Sequence, residues 1–198
     1  MRNLAASIVI LLVPLVGRAQ LLSPAALDSV RVFRTVERAM QQPDQVYRLD
    51  LSGKKLKELP EELRQLKNLN ALDLSGNKLR TLPDWLGELT NLQELRISRN
   101  KLVEWPRAIC ALPHLKRLDL RRNALAAVPK CMGKLTELVS LDLWDNDLAE
   151  FPDELSGMSA LRFLDLRAIQ FEQPEMDRIQ GLLPRVKIYF SQPCNCGM

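Results

Sequence analysis

The residues with chemistry to offer in this 198-residue chain are four cysteines, one histidine, and arginines and aromatics gathered in its second half. Cys110, Cys131, Cys194 and Cys196 form an even set, as expected of thiols that meet an oxidising compartment. Cys194-Asn195-Cys196 either closes a tight local disulfide or stays a dithiol in the tail. Two cysteines and a distant His114 supply no four-ligand set with zinc spacing, so neither a metal nor a cofactor is expected. His114 reads as a surface turn residue. The nucleophile elbow GxSxG, the zinc motif HExxH and the phosphate loop GxxxxGK[ST] are all missing, and Ser52-Gly53-Lys54-Lys55 lacks the upstream glycine of the last. The sequence reads as a non-enzyme.

The remaining chemistry is recognition. Arg96, Arg99, Arg117, Arg121, Arg122, Trp144, Asp145, Phe163 and Arg167 are of types that interfaces use, arginine and tryptophan above all at hot spots. What could bring them together is a repeat. Pro60, Pro83, Pro106, Pro129 and Pro152 are each 23 residues from the next, and a fixed period of that size marks stacked structural units. Leu72-Asp73-Leu74 alternates with period two, so each unit supplies a short strand with its leucines inward. Stacked units then form a parallel sheet. Asn77, Asn100, Asn123 and Asn146 share one position just after the strand, where an inward amide must bond the backbone of adjacent coils, a ladder between turns. Each proline stops the strand direction, and the return limb, with anchors such as Leu86 and Leu89, suits a 3₁₀-like turn. The strand side becomes concave.

The unit LNALDLSGNKLRTLPDWLGELTN (residues 69–91) resembles a leucine-rich repeat of the 23-residue class of plant disease-resistance and Ras-suppressor-like proteins. The resemblance covers residues 46–174, and the whole is similar to secreted bacterial leucine-rich repeat proteins with short caps. It implies an α/β solenoid that binds proteins or other ligands on its concave face. The pattern departs at the ends, where Lys54 and Ile169 replace the asparagine, as terminal coils with one neighbour allow.

Arg2, an apolar stretch over 4–16 and Gly17-Arg18-Ala19 have the form of a secretory signal cut after Ala19. The stretch is too short for a membrane span, which needs about 20 apolar residues. The expected organisation is a signal peptide at 1–19, a helical N-terminal cap at 20–45, six repeats over 46–173, and a C-terminal cap with the cysteine tail at 174–198. In the first cap, Ser23-Pro24 starts one amphipathic helix over 25–41 whose apolar stripe covers the first coil. In the second, a helix over 174–183 precedes a last strand. Cys110 and Cys131 fall on the return limbs of neighbouring coils. They are candidates for a bridge, against which stands the stagger of the wider convex side, since a disulfide needs Cα atoms within about 7 Å.

The outward third, fifth, seventh and eighth positions of the unit place the arginines and aromatics on coils three to six of the concave face. The expected partner is a protein or peptide with acidic and apolar groups. The rival for those arginines is a solvated charge ladder with Asp119, Asp142 and Asp165. An extracellular glycan or cell-envelope ligand is the second class of function, and a purely structural surface protein the third. Lys and Arg total 28 against 24 acids, a net +4 that falls to +2 without Arg2 and Arg18, which argues against nucleic acid. The expected product is a monomer, secreted, periplasmic or at a bacterial surface.

Overall fold

The computed structural model describes residues 21–191; the expected signal peptide and Cys194 and Cys196 lie outside the described residues. Eight parallel strands form one sheet in chain order: β1 (Val32–Phe33), β2 (Arg48–Asp50), β3 (Ala71–Asp73), β4 (Glu94–Arg96), β5 (Arg117–Asp119), β6 (Ser140–Asp142), β7 (Phe163–Leu166) and β8 (Lys187–Phe190). From β2 to β7 the register is the 23-residue period itself, with Leu49, Leu72, Leu95, Leu118, Leu141 and Leu164 as successive partners, and Ile188 of β8 continues the row one residue out of period. The opposite side carries the 3₁₀ turns Glu61–Gln65, Asp84–Glu88, Arg107–Ala111, Lys130–Lys134 and Asp153–Gly157, each preceded by one of the periodic prolines. Between the two lies a column of leucines. Leu74, Leu86 and Leu89 and their equivalents, such as Leu120, Met132 and Leu135, are buried along its length. Full burial of each such side chain stabilises the fold by roughly 1.5–3 kcal/mol.

The asparagine row closes the column at one edge. Asn100 donates from Nδ2 to Leu74 O of the preceding coil (2.9 Å) and to Ile97 O of its own (3.0 Å), while its Oδ1 accepts from Leu79 N (3.0 Å). Asn77, Asn123 and Asn146 repeat the pattern one coil away each. On the convex side, Cys110 and Cys131 are joined in a disulfide with Cα atoms 5.7 Å apart, so the stagger between these limbs is smaller than their positions in the repeat suggest. Close approach continues in the next pair of coils, where a Cβ on Gly133 would meet Glu154 O at 2.1 Å.

The N-terminal cap departs from the single helix expected over 25–41. It consists of α1 (Pro24–Ser29), then β1, then α2 (Val36–Met40). Ser23 caps α1, accepting from Ala26 N, and Thr35 caps α2, accepting from Arg38 N. The second cap and the β-branched Val30 and Val32 favour the break. β1 also pairs with β2, which otherwise would present an open edge at the end of the stack. Phe33 and Ala39 cover the first coil, but Leu27 does not join the core. At the other end α3 (Gln173–Leu182) buries Met176 and Ile179, and β8 follows it against β7. Arg178 fastens α3 to the last full coil, donating to Asp153 and to Phe151 O and bonding Glu175 at 2.7 Å.

Candidate functional site

Two backbone rules set the strand face. The first concerns the fifth position of the unit. Asp50, Asp73, Asp119, Asp142 and Asp165 each accept, through Oδ1, the N–H of the residue two ahead: Ser52 (3.0 Å), Ser75 (2.8 Å), Arg121 (3.2 Å), Trp144 (3.1 Å) and Arg167 (3.1 Å). This acidic row therefore closes the turn after each strand. Arg96 breaks it in the third coil, where Ser98 instead donates from Oγ to Ser75 Oγ at 3.0 Å.

The second rule is at the eighth position, which is left-handed in all six coils. Gly53 and Gly76 have φ of 67° and 68°, and Arg99, Arg122, Asp145 and Ala168 follow at 54°, 54°, 59° and 58°. Glycine adopts this conformation freely; an L-residue is strained there by roughly 1–2 kcal/mol.

Where these turns emerge, the structure gathers most of the residues singled out from the sequence. Arg121 lies between Asp119 (3.3 Å) and Asp142 (3.6 Å). Arg122 pairs with Asp145 at 3.6 Å and covers the half-buried Trp144, 4.6 Å from the ring centroid. Arg167 bonds Asp165 at 2.6 Å and lies 5.7 Å from Tyr189, an exposed aromatic on β8 that the sequence reading did not include. Arg96 reaches Asp73 at 3.9 Å. Arg99 is exposed, and no described residue pairs with its guanidinium. Burial holds the Asp119 carboxyl above the ordinary aspartate range in spite of Arg121. Asp142 is raised too, first by burial and then by Asp119 and Asp165 on either side. At Asp50 the Ser52 hydroxyl and amide outweigh desolvation and lower the carboxyl.

Arg117 and Phe163 stand elsewhere. Both open their strands at the third position, four to five residues before the turns, or about 13–17 Å along the strand. Their neighbours are different: Arg117 bonds Glu94, and Phe163, 48% exposed, faces α1 across a cavity of 380 Å³. The arginine–aromatic set is thus two patches at opposite ends of the strands. Sequence reasoning missed Gln93, Glu94 and Lys116 in the second patch. The signal was present in the in-register polar residues Asn70, Gln93 and Lys116 just before each strand.

The Nδ1 of His114 sits 3.0 Å from Glu137 Oε1 in a turn, and among the described residues no group of three or more His, Cys, Asp or Glu is placed to hold a metal. No helix of the described residues is long and apolar enough to cross a membrane.

The sequence profile of the leucine rich repeat family matches residues 44–102 and 113–168, and the chain belongs to that family. Solved structures agree. A leucine-rich repeat protein of Leptospira interrogans is 32% identical, with a TM-score of 0.63 over 82% of this chain and 47% of its own. Internalin C2 of Listeria monocytogenes, at 22% identity and TM-score 0.60 over 74% of this chain and 62% of its own, shares the fold. The plant peptide hormone receptor RGFR1, solved in complex with RGF2, is 27% identical with a TM-score of 0.64 over 82% of this chain and 27% of its own. The chain therefore spans about half the length of the Leptospira protein and less of the plant receptor. No curated protein sequence matches it.

Proposed function

We propose that this chain is an exported, non-catalytic module that binds a protein or peptide partner through the concave strand face of coils three to six. The observation that carries the reading is the eighth position. The first two coils fill it with glycine, and the next two keep arginine at φ of 54° although that conformation strains any L-residue. Backbone strain of this kind clusters at functional sites, and although Ala168 carries it too, among the eighth positions only Arg99, Arg122 and Asp145 present a charged side chain from it. Arg99 and Arg122 are held out from the same surface as Trp144, Arg121, Asp145 and Arg167, which together offer guanidinium groups beside an aromatic ring. Support comes also from the family, whose members are generally binding modules, and from a plant relative solved with RGF2. The charged start and apolar stretch of residues 2–16, with the Cys110–Cys131 disulfide, suit export to an oxidising compartment.

The test is capture from culture medium or envelope extract on immobilised protein, with a glycan array run beside it. Capture of a specific protein, lost with the Trp144→Ala/Arg121→Ala double variant at unchanged circular dichroism, is the expected result. Full capture by the double variant, or binding to the array alone, overturns the proposal.

A further inference from the structure

The N-terminal cap does more than cover the end of the stack. Leu27 is 3% exposed, yet it stands apart from the leucine core. It is buried because α1 folds over the strand face, where Arg48 Nη1 donates to Leu27 O at 3.0 Å. Just before α1 the chain is extended, and the row of side chains preceding the strands grips its main chain. Leu22 N donates to Asn70 Oδ1 at 2.8 Å, and Leu22 O accepts from Gln93 Nε2 at 2.8 Å. Next along the row come Lys116, whose Nζ donates to Gln93 Oε1 at 2.8 Å, and then Val139. Beside these rungs runs the 380 Å³ trough, walled by Pro24 and Leu27 of α1, by Val139 and by Phe163.

From this geometry we propose that the trough is a socket for an extended polypeptide segment that inserts one large apolar side chain beside a neighbouring Asp or Glu. The inference rests on the binding reading above and names the chemistry of the partner. Three observations select this occupant. The volume lies near the lower end of the roughly 300–1,000 Å³ of small-molecule pockets, which suits a side chain better than a bulky cofactor. The row already holds one piece of main chain, that of Leu22 ahead of the extended Ser23, by both its N–H and its C=O. Finally, Glu94 pairs with Arg117, whereas among the described residues no acid pairs with Lys116, so the formal charge left at the mouth is one cation. A carboxylate beside the inserted side chain complements it.

The experiment is selection from a displayed random-peptide library on the full chain, followed by affinity measurements with synthetic copies of the selected peptides. The expected consensus is an aromatic or branched apolar residue with Asp or Glu within a few positions. Phe163→Ala weakens these peptides about tenfold, the loss of one buried anchor. Replacing the peptide acid by its amide weakens binding to the native protein several-fold and leaves binding to Lys116→Gln unchanged, which ties the carboxylate to that ammonium. Circular dichroism checks that both variants fold. Peptides indifferent to Phe163→Ala and Lys116→Gln overturn the socket, and if they depend on Trp144 and Arg121 the proposed function stands without it. A library that enriches nothing over an unrelated solenoid also overturns it, whereas capture of a folded partner would still support the broader function.

Discussion

The left-handed eighth position can be tested by moving residues across it in both directions. Gly53→Ala places a methyl where no atom lies within 4 Å, so its cost is conformational alone. Left-handed strain of about 1–2 kcal/mol, less the 0.5–1 kcal/mol that glycine loses in unfolded-state entropy, leaves a destabilisation of roughly 0.5–1 kcal/mol. Ala168→Gly runs the change backwards at φ of 58° and should stabilise by about the same amount. Arg99→Gly should follow Ala168→Gly, because its side chain has no described partner to lose. Arg122→Gly should come out near zero. Its relief of strain is offset by the Trp144 contact and the exposed Asp145 pair, each worth about 0.5–1 kcal/mol or less. Thermal and urea unfolding followed by circular dichroism give the readout, with 1 kcal/mol moving Tm by about 2–4 °C in a chain of this size. A lower Tm for both Ala168→Gly and Arg99→Gly, or an unchanged Tm for Gly53→Ala, would refute the strain argument. Loss of partner capture by Arg99→Gly, at raised stability, would link the strain to binding.

Three further outcomes are expected. Replacing Cys110 and Cys131 together by serine should cost about 3 kcal/mol, from the loop entropy of a 21-residue separation, and treating the native protein with reductant should lower its Tm likewise. Gly133→Ala should cost at least about 2 kcal/mol in the same assay, since the obstacle 2.1 Å away is the Glu154 carbonyl and not a side chain that can swing aside. Asp142→Asn keeps an oxygen for the Trp144 N–H and removes a charge that burial and two neighbouring aspartates disfavour. With the folded pKa raised, the folded state binds the proton more readily, so the aspartate's penalty is full at neutral pH and fades as pH falls towards the unfolded value of about 3.9. The variant should therefore melt higher than the native chain at pH 7 and gain less near pH 4; a gain independent of pH counts against this reading.

The repeat was legible because each of its parts is tied to one physical demand that recurs every 23 residues. Leucine at the strand and return-limb positions reports burial, asparagine after the strand reports backbone groups needing a partner, and proline reports the turn. The caps were less legible. An apolar residue every three or four positions over 25–41 fits one helix, and the signals of the break that β1 exploits are local ones, the second capping residue Thr35 and the β-branched Val30 and Val32. Nor does apolar spacing say which surface a residue covers, and Leu27 went to the strand face. The repeat positions already hold the height of each residue along its strand, third against seventh and eighth, but a shared face alone does not make one patch. That height separates Arg117 and Phe163 from Trp144 and Arg122.

The outward positions are also less free than their variability suggests. The fifth is held by the need of its carboxylate to cap the turn, which accounts for aspartate in five coils without any ligand. The eighth is held by its φ, which accounts for glycine in the first two coils and leaves the arginines of the next two unexplained by folding. Where folding supplies a reason, a residue carries little information about a partner. Where folding is opposed, as at Arg99, or asks little, as at the half-exposed Phe163, the residue is the one on which the proposed binding can be tested. Arg99 and Phe163 lie at the two ends of the strand face, and on the two proposals together a partner that meets both lies along the strands, with an apolar anchor and its acid at one end and further acidic groups at the other.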